Sequence, residues 1–273
     1  LLAGFLQFQP AQPALAVDAW SLGADALQGT YTHAATLLAD GRVLVNGGYF
    51  YGYIATSQIF NPQSGAWETA ASSYTARGYH TMTTLEDGRV LVAGGHNYIY
   101  GWLNTVEVYY PWTDTWAYVD FMETGRGRHT ATLLPGGNVL VTGGTSADVR
   151  TSSVEIFQTA LEEWATVAPM NAARTDHGAV LLQDGRVLVV GGYGETSTLS
   201  SAEIYDPAQG TWSNAASMHT ARYSHTTTLL KDGRVLVAGG YNMGAIGSAE
   251  VYDPATDAWT VVPSLDFARY DHT

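Results

Sequence analysis

The chain has 273 residues, 46% of them hydrophobic and 14% charged, and no cysteine. This is too apolar for a disordered chain, and the missing cysteines remove disulfides, thiolate metal sites and cysteine nucleophiles. Twelve basic against 25 acidic side chains leave a net charge of −13, which repels phosphate backbones and anionic membrane surfaces, and there is no apolar run of about 18 residues to span a bilayer; neither nucleic-acid binding nor membrane insertion is expected.

Residues 1–16, LLAGFLQFQPAQPALA, run from apolar to small and close on Ala14-Leu15-Ala16, the pattern of a signal-peptidase site. They read as a signal-peptide remnant or extension, so the expected setting is extracellular or periplasmic. From 17 to 273 the sequence is one repeating domain. Trp20, Trp67, Trp116, Trp164, Trp212 and Trp259 are each followed 13 residues later by a histidine: His33, His80, His129, His177, His225 and His272. Between them stand Gly47-Gly48, Gly94-Gly95, Gly143-Gly144, Gly191-Gly192 and Gly239-Gly240, at intervals of 47, 49, 48 and 48 residues. Such regularity marks a repeat architecture.

Each unit reads as four short strands. A threonine-rich segment after the histidine, such as His129-Thr130-Ala131-Thr132-Leu133-Leu134, is the first. Asp40-Gly41, Asp87-Gly88, Asp184-Gly185 and Asp232-Gly233, with Gly136-Gly137 in the odd unit, predict two-residue hairpins. A run apolar on both faces, such as Val235-Leu236-Val237-Ala238, closes on the glycine pair and predicts a strand buried on both sides. A third strand ends in an aromatic and a fourth is centred on the tryptophan. Five complete units start near His33, His80, His129, His177 and His225. Trp20 marks a lone closing strand, and a truncated unit starts at Arg269.

Four antiparallel strands every 48 residues or so describe a propeller blade, and the period suits a kelch blade of about 50 better than a WD40 blade of about 40–45. The wording His-Thr-x-Thr-Leu-Leu-x-Asp-Gly-Arg-Val-Leu-Val-x-Gly-Gly, followed by Ala-Glu-x-Tyr-Asp-Pro, resembles the kelch-repeat β-propellers, and most of all the bacterial secreted branch similar to the propeller domain of galactose oxidase. The resemblance implies an all-β propeller of six or seven blades closed by strands from both termini. On that basis the five repeats form an arc belonging to a longer parent chain, which other domains would share.

Antiparallel order places the first-to-second and third-to-fourth turns on one face of the propeller. The second-to-third loops and the blade-to-blade loops share the other face, where variable segments carry function. Tyr49, Tyr51, Tyr98, Tyr100 and Trp102 concentrate in two adjacent loops there and predict a platform for sugar rings or a peptide. The corresponding loops around Ser146 to Ser152, Gly194 to Ser200 and Asn242 to Gly247 are small and polar. Arg77, Arg126, Arg174 and Arg222, with Arg269, each precede a register histidine by three residues, with Thr30 in the first unit. They read as carboxylate-binding groups around a mouth, or as partners of Glu107, Glu155, Glu203 and Glu250 on the third strands.

Blades packed about 10 Å apart cannot bring six equivalent histidines to one ion. Tyr79-His80 is the exception in wording: the resemblance to galactose oxidase makes it similar to half of a copper site. The radical cofactor of that family is a tyrosine cross-linked to cysteine, for which this chain has no residue. No cofactor and no catalytic residue are therefore expected. The favoured reading is a secreted, non-catalytic propeller binding carbohydrate or protein through its loop face. The alternative is a fragment of a kelch-propeller enzyme, either a copper-radical carbohydrate oxidase relative or a sialic-acid mutarotase.

Overall fold

The computed structural model describes residues 24–272, so the leader pattern at 1–16 and the strand expected at Trp20 lie outside the described residues. Each of the five units forms one four-stranded antiparallel sheet with strands in sequence order. Blade 1 comprises Ala34–Leu37, Val43–Asn46, Ser57–Asn61 and Ala66–Ala70; blade 2, Thr81–Thr84, Val90–Ala93, Val106–Tyr110 and Thr115–Tyr118; blade 3, Thr130–Leu133, Val139–Thr142, Val154–Gln158 and Glu163–Val167. Blade 4 comprises Gly178–Leu181, Val187–Val190, Ala202–Asp206 and Thr211–Ala215, and blade 5, Thr226–Leu229, Val235–Ala238, Ala249–Asp253 and Ala258–Val262. The first strands of consecutive blades lie against one another, which is why they are built from threonine and small residues.

The second strands of blades 2, 3 and 4 are buried along their whole length. Their two apolar faces feed two cores. Leu91, Val106 and Val108 of blade 2, for example, pack on Val139, Val141 and Phe157 of blade 3.

The hairpin turns differ from the two-residue prediction. Leu38 and Arg42 still pair through the main chain, so three residues, Ala39-Asp40-Gly41, form the loop. Only Gly41, at φ 86°, lies in the left-handed region. The Asp40 carboxylate accepts from the Arg42 N–H at 3.0 Å and from Arg42 Nε at 2.8 Å. Asp-Gly here serves a side-chain-locked turn ending in a glycine bulge, not a pair of left-handed residues. In blade 3 the loop is Pro135-Gly136-Gly137 with φ 91° at Gly136, as proline followed by glycine dictates in a type II turn.

The repeated tryptophan tightens the outer edge. Each packs on the aromatic opposite it on the third strand, with ring centroids 4.9–5.2 Å apart. Its indole N–H reaches back to the exit segment of the preceding blade, as Trp116 does to Ala71 O and Trp259 to Ala216 O.

The glycine pair and the histidine form one joint. A Cβ on Gly143 would sit 2.9 Å from His177 Cε1 and 2.5 Å from Arg174 O, and one on Gly144 would sit 2.9 Å from His129 Cβ. The pair is thus pressed between its own blade's histidine and the next one. Thr81 Oγ1 meets His129 Nε2 at 2.9 Å, and Thr130 Oγ1 meets His177 Nε2 at 3.0 Å. Burial, reinforced by the neighbouring arginine, drives the histidine pKa values down, to about 3 for His129 and His225 and well below 6.5 for His80 and His177.

Two outcomes are expected. Gly143→Ala should cost about 2–4 kcal/mol by urea unfolding, whereas Gly41→Ala, with open space around its Cβ, should cost about 1 kcal/mol. The histidines stay neutral in the fold but protonate near 6.5 when unfolded, so between pH 6.5 and about 3 the unfolded chain binds more protons and stability falls as pH falls. From pH 7 to 4.5 His129 and His225 should each remove about 2–3 kcal/mol. The urea midpoint should drop over that range, and drop less in His129→Gln; an equal drop in both would assign the acid sensitivity to other groups.

Candidate functional site

The repeat-locked arginines are not on the surface. Arg77, Arg126, Arg174 and Arg222 have no solvent exposure, and each pairs with the third-strand glutamate of the next blade, Glu107, Glu155, Glu203 or Glu250, at 2.6–3.0 Å. Arg126 shows the pattern. Its guanidinium donates to Gly143 O, Ser153 O, Ser153 Oγ and Glu155 in blade 3, while its main chain exchanges hydrogen bonds with Leu103 and Gly95 of blade 2. Burial lowers its pKa and Glu155 opposes that shift, but a guanidinium stays cationic. The expectation that these four bind ligand is corrected: all four guanidinium groups are buried and paired with a glutamate inside the protein, and of the two readings the ion pair holds.

The position that changes from blade to blade is the residue just before each register histidine. Thr32, Tyr79, Arg128, Asp176, Ser224 and Asp271 all have φ between 50° and 59°. Their main chains form a ladder across the blades: Tyr79 N donates to Thr32 O, Arg128 N to Tyr79 O, Asp176 N to Arg128 O, Ser224 N to Asp176 O and Asp271 N to Ser224 O, at 2.9–3.1 Å. Left-handed conformation costs a non-glycine residue about 1 kcal/mol, and it persists where its surroundings over-determine it. Arg128 lies 4.1 Å over the Tyr79 ring and 3.1 Å from the Asp176 carboxylate. Burial raises the Asp176 pKa, Arg128 opposing and Asp271 assisting.

Beside this ladder an open cleft of about 490 Å³ is lined by Trp102, Arg128, Thr145, Asp148, Arg150, Thr175, Asp176, Tyr193 and Tyr223. Four smaller clefts of about 290–390 Å³ lie on the hairpin-turn face, where Asp40, Asp87, Asp184 and Asp232 already pair with the arginine two residues on. The loop-face cleft is therefore the candidate site. Part of its wall is a short ribbon, Thr145–Ser146 with Val149–Arg150, whose turn residues Ala147 and Asp148 are both left-handed at φ 46° and 62°. Asp148 accepts a 2.9 Å hydrogen bond from Trp102 Nε1.

Aromatic rings flank the cleft in two banks. Tyr31, Tyr49, Tyr53, Tyr98, His96 and Trp102 make a continuous chain of contacts, with centroids 4.7–6.3 Å apart. Tyr193, Tyr223, Tyr241 and Tyr270 form the second, at 5.2–5.6 Å. The structure thus brings Tyr49, Tyr98 and Trp102 together, with Trp102 alone of the three in the cleft wall. Tyr51 packs only on Phe50 and is 94% exposed, and Tyr100 is exposed without a ring partner. Sequence reasoning missed Arg128, Asp148, Arg150, Asp176, Tyr193 and Tyr223. One available signal was the changing residue before an otherwise constant histidine.

Tyr79 and His80 do not fit a copper ion. The His80 ring is buried against Gly47 of blade 1, and the Tyr79 ring lies beneath a guanidinium, a cation where a metal ligand would need none. Among the described residues no three His, Cys, Asp or Glu side chains gather at metal-binding distance.

A model of the Attractin/LZTR1 β-propeller matches residues 22–249. The chain is also similar in fold to a fungal alcohol oxidase of the AA5 family, solved in complex with copper, at 20% identity and a TM-score of 0.74, covering 89% of this chain and 56% of the oxidase. It therefore spans little more than half the length of that protein. No curated protein matches the sequence.

The ion pairs give a direct test. Arg126→Thr or Glu155→Gln alone strands a buried charge and should cost about 3–5 kcal/mol. The double substitution, which reproduces the Thr30 and Gln58 of blade 1, should cost about 2–3 kcal/mol less than the sum, measured by a double-mutant cycle in urea.

Proposed function

The chain belongs to the Attractin/LZTR1 β-propeller family, and we propose that it is a non-catalytic recognition module that binds carbohydrate through its loop face. The observation that carries this reading is the cleft: a polar floor set between two aromatic banks. Sugar rings present apolar faces to aromatic side chains and hydroxyls to a few fixed polar groups, and a concavity of this size accommodates a few rings. A protein ligand would instead need about 800 Å² of complementary surface. Within the cleft Asp176 is committed to Arg128 and Asp148 to the Trp102 indole, which suits holding a ligand better than moving protons. Export is the proposed setting, on the strength of the Ala14-Leu15-Ala16 pattern, and further domains of a longer chain are its proposed companions.

A glycan screen followed by calorimetry on the best binder tests the proposal. Trp102→Ala and Tyr223→Ala should each weaken binding about tenfold, near 1.4 kcal/mol. Tyr51→Ala, outside the cleft, should leave it unchanged. Because the Trp102 ring covers Gly127, thermal melting of each variant checks the fold. Binding that survives both cleft substitutions, or a ligand found only among proteins, would overturn the reading.

A further inference from the structure

We infer that the sugar is acidic, a pyranose of the hexuronate class, and that Arg150 receives its carboxylate; this rests on the carbohydrate-binding reading above. The argument begins with where the positive charges go. Among the described residues, Arg42, Arg77, Arg89, Arg126, Arg128, Arg174, Arg186, Arg222 and Arg234 all have a carboxylate at salt-bridge distance. Of the two arginines in the cleft wall, Arg128 is thus taken by Asp176, and Arg150 has no carboxylate. Its Nε, buried without a hydrogen-bond partner, is closed to a ligand as the Arg174 Nε is, so an acceptor can arrive only at the two terminal nitrogens of this half-buried side chain.

Arg150 is also held in place. Its guanidinium lies 4.7 Å over the Tyr193 ring, an arrangement that keeps the in-plane donors available for a bidentate carboxylate. Thr145, opposite it on the ribbon, bonds Thr175 at 3.1 Å, so hydroxyls surround the same spot. The left-handed turn at Ala147 and Asp148 is pinned by the bond to Trp102, which orders the ribbon before any ligand comes.

The same geometry separates ligand classes. A neutral sugar would leave Arg150 unpaired. An acidic peptide would satisfy Arg150 but bring further carboxylates toward Asp148, in a chain whose net charge is −13. One carboxylate on a ring of hydroxyls matches all three elements: the guanidinium, Asp148 as a hydroxyl acceptor, and the Trp102 and Tyr223 rings.

The test titrates the full chain by calorimetry with trigalacturonate and trimannuronate and with their methyl esters, which remove the charge and keep the ring. At least one acid should bind tenfold or more tighter than its ester, an advantage that shrinks in high salt. Arg150→Ala should abolish that difference, with thermal melting as the check on the fold, and Arg150→Lys should restore part of it. Acid and ester binding equally would overturn the inference and leave the carbohydrate reading intact. No binding of these or any other glycan would overturn both. Arg150-dependent binding of a glutamate-rich peptide, with no sugar bound, would replace the acidic sugar by an acidic peptide.

Discussion

The joint between neighbouring blades depends on one buried guanidinium. Its main chain belongs to the blade behind and its side chain to the blade ahead, so Arg126 cannot satisfy its donors unless blades 2 and 3 stand in a single register. The desolvation cost of such a cation is large, and one carboxylate would not repay it. Repayment comes from the carbonyls of Gly143 and Ser153 together with Glu155. Glu155 in turn accepts the N–H groups of Glu123 and Thr124, which orders the segment carrying the arginine. The pair is therefore a positional device more than a source of stability. Blade 1 supports this view: with Thr30 in place of the arginine, the glutamate position is Gln58, whose amide exchanges hydrogen bonds with the main chain of Gln28. The two charges disappear together, as the cost of an unpaired buried ion requires.

A register held this firmly allows strain nearby. The residue just before each register histidine is left-handed whether it is Thr32, Tyr79, Arg128, Asp176 or Ser224, because the ladder of main-chain hydrogen bonds demands that geometry of every blade. None of these is glycine, so each keeps a side chain pointed by a fixed backbone. Constant geometry with changing chemistry is how a repeat protein builds an asymmetric site on a symmetric frame.

The fold was largely legible in the sequence because its determinants recur. Glycine pairs, tryptophans and histidines are constrained by contacts between neighbouring blades, and those contacts repeat with the period. The hairpin loop was misjudged by one residue, since Asp-Gly is compatible with two turn geometries and the Asp40 bonds to Arg42 decide between them. The site was legible only in part. Arginines looked like ligand-binding groups because recurrence shows that a residue matters without showing which way it points. Arg128, Asp176 and Arg150 went unnoticed for the opposite reason, since they do not recur. The polar loop around Ser146 to Ser152 seemed featureless by composition, yet it carries the cation that distinguishes the cleft.

Comparison of the positions that follow each arginine explains why the cleft opens where it does. Tyr223 and Tyr270 each supply a ring there, joined to Tyr241. Gly78 and Gly127 supply none, but Tyr53 and Trp102 reach over from the loops of blades 1 and 2 and lie so close that a Cβ would come within 2.7–2.8 Å of them. An aromatic ring occupies the place either way, and the glycines are required by the rings above them. Thr175 breaks the series. It has no ring, and the blade 3 ribbon offers Arg150 in place of a tyrosine or tryptophan. The rings therefore leave one polar gap among the described residues, flanked by Trp102 on one side and Tyr193 and Tyr223 on the other, and Arg150 stands in it.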